Sequence, residues 1–192
     1  HYRARARSGM GLIMVEHTSV NSYYIHPGRR LRVSDDSYIP GLARLVRTVH
    51  EAGPKIGLQI AHSIHGAGLK PEDLTKQQCQ EIVQDFIQGA HRAREAGFDV
   101  IELHCAHTYT LADFLSRRTN KRWDEYGGDV HSRMRIVREI ILGIRELLGH
   151  DFPLLARISA DEFIISGNTL RDSRIIAQEL EKSGIDCIDV SA

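Results

Sequence analysis

Five short apolar runs alternate with four amphipathic stretches along this chain, and that alternation restricts the fold more than any other feature. The runs Leu12–Glu16, Lys55–Ile60, Asp99–His104, Pro153–Ser159 and Asp186–Ser191 have the length and apolar density of buried strands. Between them, Ile39, Leu42, Leu45 (with Val46) and Val49 recur every three or four residues, the stripe of a helix that buries one face. Ile82, Phe86, Ala90 and Ala93 repeat the pattern, with Thr75 in position to cap the helix start. Met134, Val137, Ile140, Ile141, Ile144 and Leu148 form a third stripe, and Leu170, Ile176, Ala177 and Leu180 a fourth. Gly53, Gly97, Gly149 and Gly184 follow the four stripes, where a helix ends in a left-handed residue. Strand–helix alternation demands parallel strands joined by right-handed crossovers, which leaves an open doubly wound sheet or a (β/α)8 barrel.

Side-chain parity separates the two. An open sheet meets helices on both faces and needs both apolar. Here one parity is apolar: Ile56, Leu58 and Ile60; Ile101 and Leu103; Leu154, Ala156 and Ile158; Ile188 and Val190. The other turns polar late in each strand: Gln59; Glu102 and His104; Arg157 and Ser159; Asp189 and Ser191. Helices outside and a polar-topped interior within describe a TIM barrel, whose chemistry sits at the C-terminal strand ends. The strand–loop junctions also lack GxGxxG and GxxxxGK[ST], so the common nucleotide sites of open sheets have no support. A whole barrel takes about 250 residues, whereas these 192 supply five strands. The expectation is a single, incomplete TIM-barrel domain over residues 1–192, a piece of a longer protein whose open sheet edges would aggregate if left uncovered.

The 25 basic and 25 acidic residues give a formal net charge of zero, which argues against nucleic-acid binding. No apolar run nears the roughly 18–20 residues of a membrane span. Three scattered cysteines suit a reducing, cytoplasmic setting and make neither a disulfide framework nor a CxxC metal site. Composition thus describes a soluble, cytoplasmic domain long enough for one sizeable core, and a homo-oligomer is compatible with it.

The densest polar cluster is Glu102-Leu103-His104-Cys105-Ala106-His107-Thr108-Tyr109. Residues i and i+3 of a strand point to opposite faces, so His104 and His107 converge only if the backbone turns after the strand. They would then offer two N–H donors to one anionic oxygen, with Tyr109 beside them as a weak acid. The competing reading has the histidines hydrogen-bonded to neighbouring backbone. Arg157 shares the inward parity, and a buried arginine marks either an internal salt bridge, with Glu102 as its partner, or an anionic ligand. Gln59 carries both a donor and an acceptor, suited to the edge of a flat heterocycle. His62 and His65 form a second pair at the preceding strand end. Together with His104 and His107 they open the alternative of a metal-dependent hydrolase. A non-catalytic barrel fragment is the third reading.

The text Gln59-Ile60-Ala61-His62, Ala96-Gly97-Phe98-Asp99, His104 to Tyr109, Asp113-Phe114-Leu115-Ser116, Asn120-Lys121-Arg122-Trp123-Asp124-Glu125-Tyr126-Gly127-Gly128 with Arg133, and Arg157-Ile158-Ser159 resembles the old yellow enzyme family. The resemblance extends over nearly the whole chain and also takes in His1-Tyr2, Arg5-Ala6 and Gly11-Leu12-Ile13. The HxxH spacing is similar to the xenobiotic-reductase branch, while the Arg118-Thr119-Asn120 text leans toward dienoyl-CoA and enoate reductases. What the resemblance implies is a TIM barrel with FMN at its C-terminal mouth, NADPH or NADH as reductant, and an electrophilic alkene as substrate. It implies that Gln59 and Arg157 bind the flavin, that His104 and His107 grip the substrate oxygen, that Tyr109 delivers the proton, and that no metal is needed. Ser63-Ile64-His65 departs from the family's His-Ala-Gly-Arg continuation, and Thr110 stands where the family generally has leucine.

Overall fold

Every strand and helix predicted from periodicity forms. The computed structural model describes residues 1–22 and 30–191. In chain order the elements are α1 (Tyr2–Ala6), β1 (Leu12–Ser19), α2 (Ile39–His50), β2 (Lys55–Ala61), α3 (Lys76–Glu95), β3 (Val100–Cys105), α4 (Thr110–Leu115), α5 (Val130–Arg133), α6 (Arg135–Leu148), β4 (Leu154–Ser159), α7 (Leu170–Ser183) and β5 (Cys187–Ser191). The five strands are parallel and lie in sequence order. A doubly wound sheet reverses its strand order at a switch point. Unbroken order is instead that of an incomplete (β/α) barrel. Helices α1, α4 and α5 escape the periodicity because five, six and four residues are too few to display it.

The apolar parity is buried: Leu58, Ile60, Ile101, Leu103, Leu154 and Ala156 are fully covered and join the helix stripes in one hydrophobic cluster. Each such leucine or isoleucine contributes about 1.5–3 kcal/mol on leaving water. Val190 departs from the pattern. It was expected among the buried residues, yet it is 59% exposed, because β5 is the sheet's edge strand and no helix follows it among the described residues.

Two crossovers end with the same device. Gly97-Phe98-Asp99 and Gly184-Ile185-Asp186 each begin with a glycine at φ +91° and +109°, where the left-handed turn would strain a side chain. The apolar residue then donates its backbone N–H into the departing helix, Phe98 to Ala93 O and Ile185 to Leu180 O. The aspartate pins the start of the preceding strand, Asp99 accepting from the Ile56 N–H at 2.9 Å and Asp186 from the Leu154 N–H at 2.8 Å. Charge partners hold both carboxylates: Lys55 and His50 on Asp99, Arg145 on Asp186, each at 2.7 Å.

The long motif between Asn120 and Arg133 is scaffolding. Asn120 Nδ2 donates to the carbonyls of Phe114 and Tyr126, both at 2.7 Å. Arg122 forks onto Asp124 and donates to the carbonyls of Leu74 and Pro71. A Cβ on Gly127 would run into the Arg122 carbonyl. Arg133 ties the Leu115 carbonyl to that of Gly128 at 2.7 and 2.6 Å. These bonds satisfy the loop's buried polar groups and fix the C-terminal end of α4, the helix that carries Tyr109 at its N-cap. Among the described residues no helix is long and apolar enough to cross a membrane.

Candidate active site at the strand ends

The turn needed to bring the two histidines together is present. His107 and Thr108 both lie at φ +57°, a left-handed pair just past the end of β3. Non-glycine residues held there cost about 1–3 kcal/mol each and persist only where the surroundings enforce them. The reversal brings the His107 ring edge-on to His104, with centroids 5.2 Å apart, and sets Tyr109 at 4.4 Å from His104. His107 Nε2 lies 2.8 Å from Ser191 Oγ on β5. His104 is buried, and its Nδ1 has no protein partner.

Register does the rest. Gln59 pairs with Glu102, and one layer higher His104 pairs with Arg157, itself opposite Asp189. Gln59 Nε2 donates to Glu102 Oε1 at 2.7 Å. Arg157 therefore does not take Glu102 as its partner. Its Nη1 is 3.4 Å from Asp189 Oδ2, on the strand directly opposite, and its buried Nε is unpartnered. Burial and the nearby His107, His17 and Arg157 push His104 down to about 3. Burial and Arg157 also lower His107. Both rings are neutral at physiological pH, so each can present an N–H to an oxygen without carrying charge of its own.

The second histidine pair does not join this group. His62 lies beneath α4, its Nδ1 2.9 Å from Thr110 Oγ1, and burial lowers it to about 3. The same Thr110 hydroxyl accepts from the Ile64 N–H at 2.9 Å. Thr110 is thus the bolt between the β2 loop and α4. His65 lies in a short 3-10 turn that lines a separate cleft. Among the described residues no three His, Cys, Asp or Glu side chains gather closely enough to hold a metal ion. The four-histidine hydrolase site is not assembled.

Three neighbouring residues were not singled out from the sequence. His17 lies in the register irregularity of β1, between Val15 and Thr18, where the extra backbone re-aims side chains. Its ring approaches Tyr109 at 5.1 Å and His104 at 6.3 Å. Extending the first strand past Glu16 would have revealed it at a strand end. Arg30, whose Nη1 is 2.6 Å from both Tyr109 Oη and His17 Nε2, left no local signal. Asp113, one turn beyond Tyr109 on α4, belongs to the wall of a cleft of about 350 Å³ that includes His107, Glu162, Phe163 and Ile164.

Burial, chiefly, raises the Asp113 carboxyl from 3.8 to about 7. Between about pH 4 and pH 7 the folded chain holds a proton that the unfolded chain has released, so this group's contribution to stability falls as pH rises and levels off above pH 7. His62 and His104 act in the opposite sense, stability being lost as pH falls from about 6.5 toward 3. Asp113→Asn leaves the histidines in place and isolates the carboxyl. The thermal midpoint of the variant, relative to wild type, should be higher at about pH 8 than at about pH 5. An offset equal at both would mean that the carboxyl ionises normally.

Comparison with known proteins places the sequence in a family. The model of the NADH:flavin oxidoreductase / NADH oxidase family matches residues 1–72 and 64–192. The chain belongs to that family. An NADH oxidase of Thermoanaerobacter brockii is 40% identical over 214 residues, covering 100% of this chain and 33% of the relative. An NADPH dehydrogenase of Geobacillus sp. (strain WCH70) is 39% identical over 209 residues, covering 100% of this chain and 61% of the relative. Among solved structures, the old yellow enzyme homologue of Zymomonas mobilis superposes with a TM-score of 0.84 over 98% of this chain and 62% of its own. At 22% identity that likeness speaks for the fold alone. The chain thus spans 33% and 61% of the length of these two relatives.

The family's cofactor is FMN, with NADH or NADPH as reductant. The residues present suit a flavin. The unpartnered Nε of Arg157 and the amide of Gln59 lie on the inward parity of adjoining layers. A flat ring with a carbonyl-rich, charge-accepting edge would satisfy both.

Proposed function

We propose that this chain forms the flavin-holding and substrate-gripping part of an FMN-dependent NAD(P)H oxidoreductase that reduces carbon–carbon double bonds conjugated to a carbonyl. In this proposal residues 1–192 make up a single partial-barrel domain. The observation that carries it is the convergence of His104, His107 and Tyr109, with ring centroids 4.4 and 5.2 Å apart, at the C-terminal end of β3.

A conjugated alkene accepts hydride at Cβ only when the negative charge gathering on its carbonyl oxygen is stabilised. The chemistry FMN would supply here, when bound and reduced by NAD(P)H, is hydride transfer. His104 and His107, neutral and fixed by strand and turn, provide the N–H donors for the oxygen. Preorganised donors of this kind cost no reorganisation when charge develops. Tyr109 holds the proton destined for Cα. Gln59 and Arg157 would hold the flavin, Arg157 adding a positive charge to the site. Three cysteines, widely spaced along the chain, suit the reducing, cytoplasmic setting of this proposal.

The test is anaerobic reduction of the flavin-loaded protein by NADPH or NADH, followed by titration with cyclic enones and with phenols. Stoichiometric reoxidation by the enone, and a new long-wavelength absorption with phenol, are expected. Reoxidation by oxygen but by no enone would sink the alkene assignment while leaving the flavin enzyme intact.

A further inference from the structure

We propose that Arg30 is a positioning residue for proton delivery, aiming the hydroxyl hydrogen of Tyr109 toward the mouth and stabilising the phenolate that remains once the proton has left. The proposal rests on the reading of Tyr109 as the proton donor. Arg30 Nη1 lies 2.6 Å from Tyr109 Oη and 2.6 Å from His17 Nε2. Its guanidinium carbon is 5.9 Å from the centroid of the Tyr109 ring. A guanidinium has five N–H donors and no acceptor. The Tyr109 oxygen must therefore accept from Arg30, and its own hydrogen points elsewhere. The same logic makes His17 Nε2 an acceptor. Both hydrogens of Nη1 are thereby committed, so Arg30 is anchored on β1 through His17 while it holds the phenol of α4.

The balance of the step shows why this helps. As the Cα–H bond forms from the enolate electron pair, the O–H bond of Tyr109 breaks and the oxygen keeps that pair as phenolate. The hydride at Cβ has already come from flavin reduced by NAD(P)H, and solvent later returns the proton to the phenolate. Negative charge thus appears on the one atom to which Arg30 already donates. Hydrogen bonds to an ionised acceptor are roughly twice as strong as neutral ones, so the contact tightens during the step and favours the transition state over the ground state.

The experiment compares Arg30→Met and Arg30→Lys in the flavin-loaded enzyme. Arg30→Met should lower kcat for enone reduction about 10–10²-fold, the effect of losing one charge-assisted hydrogen bond to a developing anion, with KM little changed. Flavin reduction by the nicotinamide, reoxidation by ferricyanide (which needs no proton on carbon) and phenol affinity should stay near wild type. Arg30→Lys keeps the charge and should recover part of the loss. Combined with Tyr109→Phe, Arg30→Met should add nothing further. Equal loss in the enone and ferricyanide reactions would mark Arg30 as merely structural, and full losses multiplying in the double variant would overturn the proposal. Should Tyr109→Phe alone retain enone reduction, it is the acid assignment that fails, a result distinct from an inert Arg30→Met beside an impaired Tyr109→Phe.

Discussion

His104→Ala should slow enone reduction by the flavin-loaded enzyme about 10²–10³-fold and weaken phenol binding, while flavin stays bound and its reduction by NAD(P)H continues. The magnitude is that of removing one preorganised donor from an oxyanion site. His104 is the more telling of the two histidines because burial and its neighbours depress it to about 3, so it enters the reaction as a neutral, water-shielded donor. His107 is exposed and leans on Ser191, and its removal should follow the same direction with a smaller loss. His104→Asn, which returns an N–H of similar reach, should recover part of the activity. Wild-type enone reduction by both alanine variants would refute the clamp.

Tyr109→Phe should cost about 10²–10⁴ in the alkene half-reaction, the usual worth of a positioned general acid. The ring is held from three sides, 4.4 Å from His104, 5.1 Å from His17 and beneath the Arg30 guanidinium, so phenylalanine keeps the packing and removes only the oxygen. Rapid-reaction measurements separate the halves: flavin reduction by the nicotinamide should be little affected, and transfer to the enone greatly slowed. Slowing of both to the same degree, with a lowered thermal midpoint, would point to disrupted folding.

Part of the geometry of the candidate site was legible in the sequence. The cluster from Glu102 to Tyr109 was readable because three chemistry-bearing rings fall within six residues at a strand end, and the need for a turn between His104 and His107 follows from strand geometry alone. Gln59 and Arg157 were readable from parity. The partner of Arg157 was not. Glu102 has the right charge and the right face, but pairing places it beside Gln59, one layer below. Parity states which side of a sheet a residue faces and says nothing of its height against the next strand. The long motif from Asn120 to Arg133, prominent in the sequence, braces α4 from behind rather than touching the rings.

Sequence alone determined the strand–helix alternation, the parallel order it forces and the inward polar face, because each rests on periodicity over a few neighbouring residues. Tertiary structure decided what distance along the chain conceals: Arg30 meeting Tyr109 from 79 positions away, His17 re-aimed by an irregular β1, and Asp113 lining the cleft beside His107. Local pattern carries the hydrophobic effect's demand for one buried face. Hydrogen-bond partners and shifted titrations depend on which elements come to rest against one another, and that is settled only when the strands take up their register.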